Sequence, residues 1–232
     1  MTSRLARGIT ALLLMAAIAG CASSQGFDRG RLNNQLGKDE PQATDSEIAR
    51  VLALQPQIHF PIRLGIYARE RYSGWGDPAW RIEDSDTAWV EALKAEGLVS
   101  EVVPIVASTV GGREIADIRL AAAHHHVDAV LILDFVSDVD RYNNPLAASY
   151  ITIVAGWLIP GTHSDALVMM TGSMWDVRNG YLYATARTEA EASEMGPAFL
   201  LEDYRAVRHA HRDALTALEQ EMTVRLRNLR GG

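Results

Sequence analysis

Cysteine is all but missing from this chain: there is one, Cys21, in 232 residues. No disulfide can close within the molecule, so in an oxidising compartment the fold has to rest on its core. Long apolar runs are missing too, since none reaches the roughly 20 residues that a helix needs to cross a hydrocarbon layer. Positive charge is scarce, with 22 Lys and Arg against 29 Asp and Glu. That balance argues against nucleic acid or anionic head groups as partners. Paired-cysteine metal motifs, a Gly-x-Ser-x-Gly elbow and a phosphate-cradling loop are also lacking. No catalytic residue, no metal site and no cofactor is expected.

What the chain does have begins at its first residues. Arg4 and Arg7 precede an apolar run from Ile9 to Ile18 that only Thr10 interrupts, which is the layout of a secretory signal. The run continues into Ala19-Gly20-Cys21 and there resembles the bacterial lipobox, an aliphatic residue and two small ones before a cysteine. The chemistry suits those residue types, because small side chains at Ala19 and Gly20 let the backbone enter a peptidase cleft and only a thiol forms the thioether. The resemblance implies cleavage between Gly20 and Cys21, with a diacylglycerol on the sulfur and a third acyl chain on the freed amine. Three chains exceed the two signals that stable anchoring takes. Ala22 is not the aspartate that retains many such proteins in the inner membrane, so the periplasmic leaflet of the outer membrane is the expected address.

Residues 1–20 are therefore read as a lipoprotein signal peptide and residues 46–232 as a single α/β domain facing the periplasm. Between them, residues 21–45 are rich in Ser, Gln, Asn, Gly and charge without an apolar period, and read as a flexible tether. Its reach would be roughly 27 Å for about 24 residues.

Along the domain, Ser46 to Leu54 suits a short helix and Ile62 to Ala68 alternates as a strand does. A loop with Tyr72, Trp75 and Trp80 follows. Asp84 to Glu96 reads as a helix closed by Gly97, Leu98 to Val106 as a strand, Arg113 to His125 as a helix, and Val127 to Val136 as a strand buried on both faces. The grammar then changes. Ser149 to Ile159 and Ala166 to Val177 are β-prone runs joined around Pro160-Gly161, and Asn179-Gly180 signals a hairpin into Tyr181 to Thr188. The fold class that follows is α/β: a mixed sheet, parallel β-α-β-α-β in its first half, antiparallel hairpins in its second, and a long C-terminal helix over about residues 198–229. Leu200, Tyr204, Val207, His211, Leu215, Leu218, Met222, Leu226 and Leu229 form its apolar stripe.

The segments Leu64-Gly65-Ile66 and Val127-Asp128-Ala129-Val130, then Tyr150 to Trp157, Pro160-Gly161, Asp165, Trp175-Asp176-Val177 and Leu182, resemble the rhombotarget lipoprotein family. The likeness covers roughly residues 60–190. It implies a lipid-anchored envelope protein, associated by genome context with rhombosortase systems. Gly231-Gly232 ends this sequence without the apolar span and basic end of rhombosortase substrates. The element order is also similar to the α/β domains of periplasmic assembly lipoproteins, a likeness of fold and not of function.

The remaining candidates are few. His124-His125-His126 point about 100° apart on a helix and suit its C-terminal carbonyls better than a metal. Asp134, Asp138 and Asp140, read as a loop after the buried strand, lack the glycine and closing glutamate of a calcium site. Trp75, Trp80, Leu218, Met222, Leu226 and Leu229 are the candidate partner surface. The function expected is a non-enzymatic binding or assembly module of the envelope, held to the membrane by its lipid and associating with an envelope protein or with its own copies. A periplasmic metal-dependent hydrolase is the alternative, as is an oligomeric secretion channel, for which Tyr150 to Val177 would supply the membrane hairpin.

Overall fold

The computed structural model describes residues 23–36, 44–69 and 84–231. In chain order these form α1 (Arg29–Leu36), α2 (Asp45–Leu52), β1 (Ile62–Arg69), α3 (Asp84–Ala95), β2 (Val99–Pro104), α4 (Ile115–His124) and β3 (Ala129–Asn143). A 3-10 segment, Pro145–Ile151, and a one-turn helix α5 (Ala155–Leu158) lead into β4 (Thr162–Asp176), β5 (Leu182–Gly196) and α6 (Asp203–Gly231). The five strands form one mixed sheet in the order β2-β1-β3-β4-β5. β1 is parallel to β2, with Leu64 opposite Val102, and to β3, with Leu64 opposite Ala129. The remaining pairings are antiparallel.

The described residues group into two compact units where length suggested a single domain. The first takes the described part of Met1–Arg29 with Ser137–Val168 and Ala190–Arg212; the second takes Gly30–Val136, Met169–Glu189 and Asp213 onwards. β3, β4 and β5 have 15 residues each, and each contributes residues to both units.

In the second unit, strand alternation sorts the core into two faces. Val130 and Ile132 of β3 join Tyr67, Ile105, Ile118 and Ala122 in one buried cluster. Leu131 faces the other way, towards α6, where a Cβ on Gly172 would lie 3.4 Å from Leu131 and 3.3 Å from Leu218. Trp89 of α3 donates its indole N–H to the Thr223 hydroxyl at 2.9 Å. Arg227 holds both carboxylate oxygens of Glu96, at 2.6 and 2.7 Å. α2 is started by a capping box in which the Thr44 N–H donates to Glu47 and the Glu47 N–H donates to the Thr44 hydroxyl. Its apolar residues Ile48, Val51 and Leu52 are nevertheless exposed.

Several expectations change. Residues 23–36, assigned to the tether, are docked: Leu32 of α1 is 1% exposed, its neighbour Asn33 accepts from Arg187, and in the first unit Ser24 donates to Asp140. Ser149 to Ile159 is not a strand. Its apolar run follows a 3-10 turn and a single α-turn, because Asn144 and Tyr150 close it on itself, and the hairpin Tyr150 to Val177 proposed for a channel does not form. Asp138 and Asp140 lie within β3, and Asp134 pairs with Arg69 across the β1–β3 ladder at 3.4 Å. The β4–β5 connection is longer than a two-residue turn. Among its residues only Gly180 has positive φ, at 78°, and the Asp176 carboxylate accepts from the N–H of Arg178 and of Asn179, an Asx-type arrangement. α6 begins at Asp203 and not near residue 198, since Leu200 and Leu201 both turn back onto the Pro197 carbonyl and Arg141 takes the carbonyls of Ala198 and Leu201.

Candidate functional site

Of the residues singled out from the sequence, Gly20, Cys21, Trp75 and Trp80 lie outside the described residues. Leu218, Met222 and Leu226 are each 1% exposed. They face inward, and the expectation of an outward docking stripe is corrected: a helix whose apolar face covers a sheet has used that face. Leu229 is half-buried and lines an open cavity of about 570 Å³ with Phe60, His59, Tyr181 and Arg230. Tyr183 also borders it. Its hydroxyl is fully engaged, donating to the buried Asp176 and accepting from the N–H of Gln57 and Ile58. Burial and the bond to Asp176 push the Tyr183 phenol up to about 12, so the group serves packing. His124 closes α4, and the His126 carbonyl accepts from Arg63. Among the described residues no three His, Cys, Asp or Glu side chains stand close enough to hold a metal ion. None of the described helices is long and apolar enough to cross a membrane.

The feature that sequence reasoning missed is the loop over residues 145–160 in the first unit. Its two ends are pinned together. Asn144 donates its backbone N–H to the Gly161 carbonyl at 2.8 Å and its side-chain amide to the Pro160 carbonyl at 3.1 Å. The Tyr150 hydroxyl donates to the Ile159 carbonyl at 3.0 Å and accepts from the Gly161 N–H at 2.8 Å. A loop of this size with joined ends is an Ω-loop, a type often used for function.

What the loop hides and what it shows are inverted relative to an ordinary surface. Ala147 and Ala155 are 5% and 7% exposed, and Gly156 is buried. Ile153 and Leu158 are 75% and 72% exposed, and Leu146, Ile151, Val154 and Trp157 are also in water. Fully burying one such side chain is worth ~1.5–3 kcal/mol. Leaving six of them out is therefore not explained by the loop's own folding.

Phe199 extends the patch. Its ring lies 5.4 Å from Trp157, and its N–H donates to the Gly156 carbonyl at 3.1 Å. A Cβ at position 156 would come within 2.5 Å of the Phe199 ring, so a larger residue there requires that ring to shift. Leu200, next in the chain, is exposed as well.

Asp140 lies five residues before the loop and fastens the N-terminal segment. Its Oδ2 accepts from the Ser24 hydroxyl at 2.6 Å and from the N–H groups of Gln25 and Gly26 at 2.8 and 2.9 Å. Burial raises its carboxyl pKa, but these three donors outweigh burial and hold it below the usual carboxylate range. In the same unit Arg29 pairs with Glu191.

No family model and no curated protein matches the chain, so the likeness to rhombotarget lipoproteins stays an expectation. Among solved structures, protein XCC0632 of Xanthomonas campestris (DUF330) is similar over 73% of this chain and 87% of its own, at 14% identity and a TM-score of 0.30. The hypothetical protein CT253 of Chlamydia trachomatis is 9% identical over 68% of this chain and 95% of its own, with a TM-score of 0.31. Lipoprotein GNA1162 of Neisseria meningitidis is 16% identical over 58% and 84%, with a TM-score of 0.27. TM-scores this low carry no inference about the present chain.

Proposed function

We propose that this protein is a lipid-anchored lipoprotein of the cell envelope, held at the outer membrane on its periplasmic side by acyl chains on Cys21, and that it acts by contact and not by a reaction. The lipobox-like residues before Cys21 support the anchor. The observation that carries the contact role is the 145–160 loop, which buries Ala147 and Ala155 and displays Leu146, Ile151, Ile153, Val154, Trp157 and Leu158. An enzyme would bring titratable groups together in a pocket, whereas this loop brings apolar side chains together in water. Its partner would be a component of the envelope itself.

Replacing the thiol tests the anchor. Wild-type protein incorporates labelled palmitate and sediments with membranes, while Cys21→Ser incorporates none and is released from them. Retention of Cys21→Ser on membranes after its signal segment has been cleaved, or a wild-type chain without label, contradicts the reading.

A further inference from the structure

We infer that the surface formed by residues 145–160 and Phe199 seats in the interfacial layer of the same membrane leaflet that takes the lipid of Cys21, so that the protein holds its bilayer at two points. The inference rests on the lipid anchor proposed above and goes beyond it by naming what covers the patch.

Charge is the first argument. From Tyr142 to Thr162 the chain has no Asp, Glu, Lys, Arg or His. A surface that docks on protein is rimmed by polar groups open to water, but here the polar groups bond within the chain. Ser149 donates to the Leu146 carbonyl, Thr152 to the Ser149 carbonyl, and Thr162 to Asn143. Tyr150 and Asn144 are committed at the loop base. Five backbone N–H groups of the loop, those of Thr152, Ala155, Gly156, Trp157 and Ile159, donate to carbonyls within it. Internal satisfaction of donors is the condition for entering a medium without water. Trp157, exposed beside aliphatic neighbours, is the residue type that prefers the head-group level.

Reach is the second argument, and it is independent of the first. Ser24, Gln25 and Gly26 are fixed on Asp140, so at most about 11 Å of chain separates the α-carbons of Cys21 and Ser24. From Asp140 to Pro145 the chain advances by about 17 Å if extended. A lipid on Cys21 thus enters its bilayer within reach of the loop, and the roughly 27 Å stand-off expected from a free tether is lost.

The test uses the full chain as purified from membranes. Cys21 is the only thiol, so the lipidated wild type takes no thiol reagent. Ile153→Cys and Leu158→Cys then each offer one site for an environment-sensitive fluorophore, at side chains too exposed to disturb packing. The labelled protein is placed in phosphatidylethanolamine and phosphatidylglycerol vesicles with ordinary or brominated acyl chains. The expected result is a blue-shifted emission, most of which is lost with brominated lipid. A blue shift without quenching would mean that protein, such as a second copy, covers the loop; emission as in water would mean that nothing does. Either overturns the inference. A wild-type chain that takes the reagent refutes the lipid anchor alone, and the quenching is then read in the Cys21→Ser background.

Discussion

One carboxylate oxygen, Oδ2 of Asp140, decides where the N-terminal segment lies, because it accepts three donors from residues 24–26. Its depressed pKa sets the sign of a pH effect. Unfolded, an aspartate titrates near 3.9; folded, this one titrates lower, so its stabilisation is fully present above that value and is lost as pH falls through the folded one. Protection of the Gln25 and Gly26 amides from hydrogen exchange should therefore hold at neutral pH and drop only in acid. Asp140→Ala should remove it at every pH, by about tenfold or more, the scale of a lost hydrogen bond to a charged group at ~1.5–3 kcal/mol. Equal protection in wild type and variant would contradict this role. The sequence could not reveal it, since Asp140 and Ser24 are 116 residues apart and nothing local marks the pair.

Among the elements, α6 and the 145–160 loop use apolar residues in opposite ways. Met222→Ala, in the helix stripe, should cost ~2–5 kcal/mol by leaving a cavity, whereas Leu158→Ala should change stability by no more than about 0.5 kcal/mol, as for an ordinary surface site. Denaturant unfolding of both variants reads the difference; a large loss from Leu158→Ala would make the loop part of the core. Periodicity made the first class legible. The steps of three and four from Leu215 to Leu226 give α6, and the Val-Leu-Ile run after Ala129 gives the buried strand. Residues 149–159 defeated the same reasoning, because a continuous β-branched run reads as a buried strand until the hydrogen bonds of Asn144 and Tyr150 are known. α1 was missed for the opposite reason: its eight residues hold only two leucines, and one of them, Leu32, supplies the burial.

For the molecule as a whole, the α/β class and the parallel-then-antiparallel order follow from the succession of segments, since strand-helix-strand grammar calls for parallel neighbours and short turns for antiparallel ones. The division into two units did not, because its boundaries fall inside β3, β4 and β5, where no break in the sequence pattern marks them. The candidate site was equally hidden: Tyr150 to Trp157 stood out only as part of a family likeness, and exposure is not written in a run of apolar letters. On the reading proposed above, this loop serves contact with the envelope and not the fold. A photo-reactive phenylalanine analogue introduced at residue 153 and irradiated in native membranes tests it most directly, with mass spectrometry of the products. Adducts with phospholipid are expected. Crosslinks confined to the chain's own residues, or none beyond quenching by water, would contradict that reading.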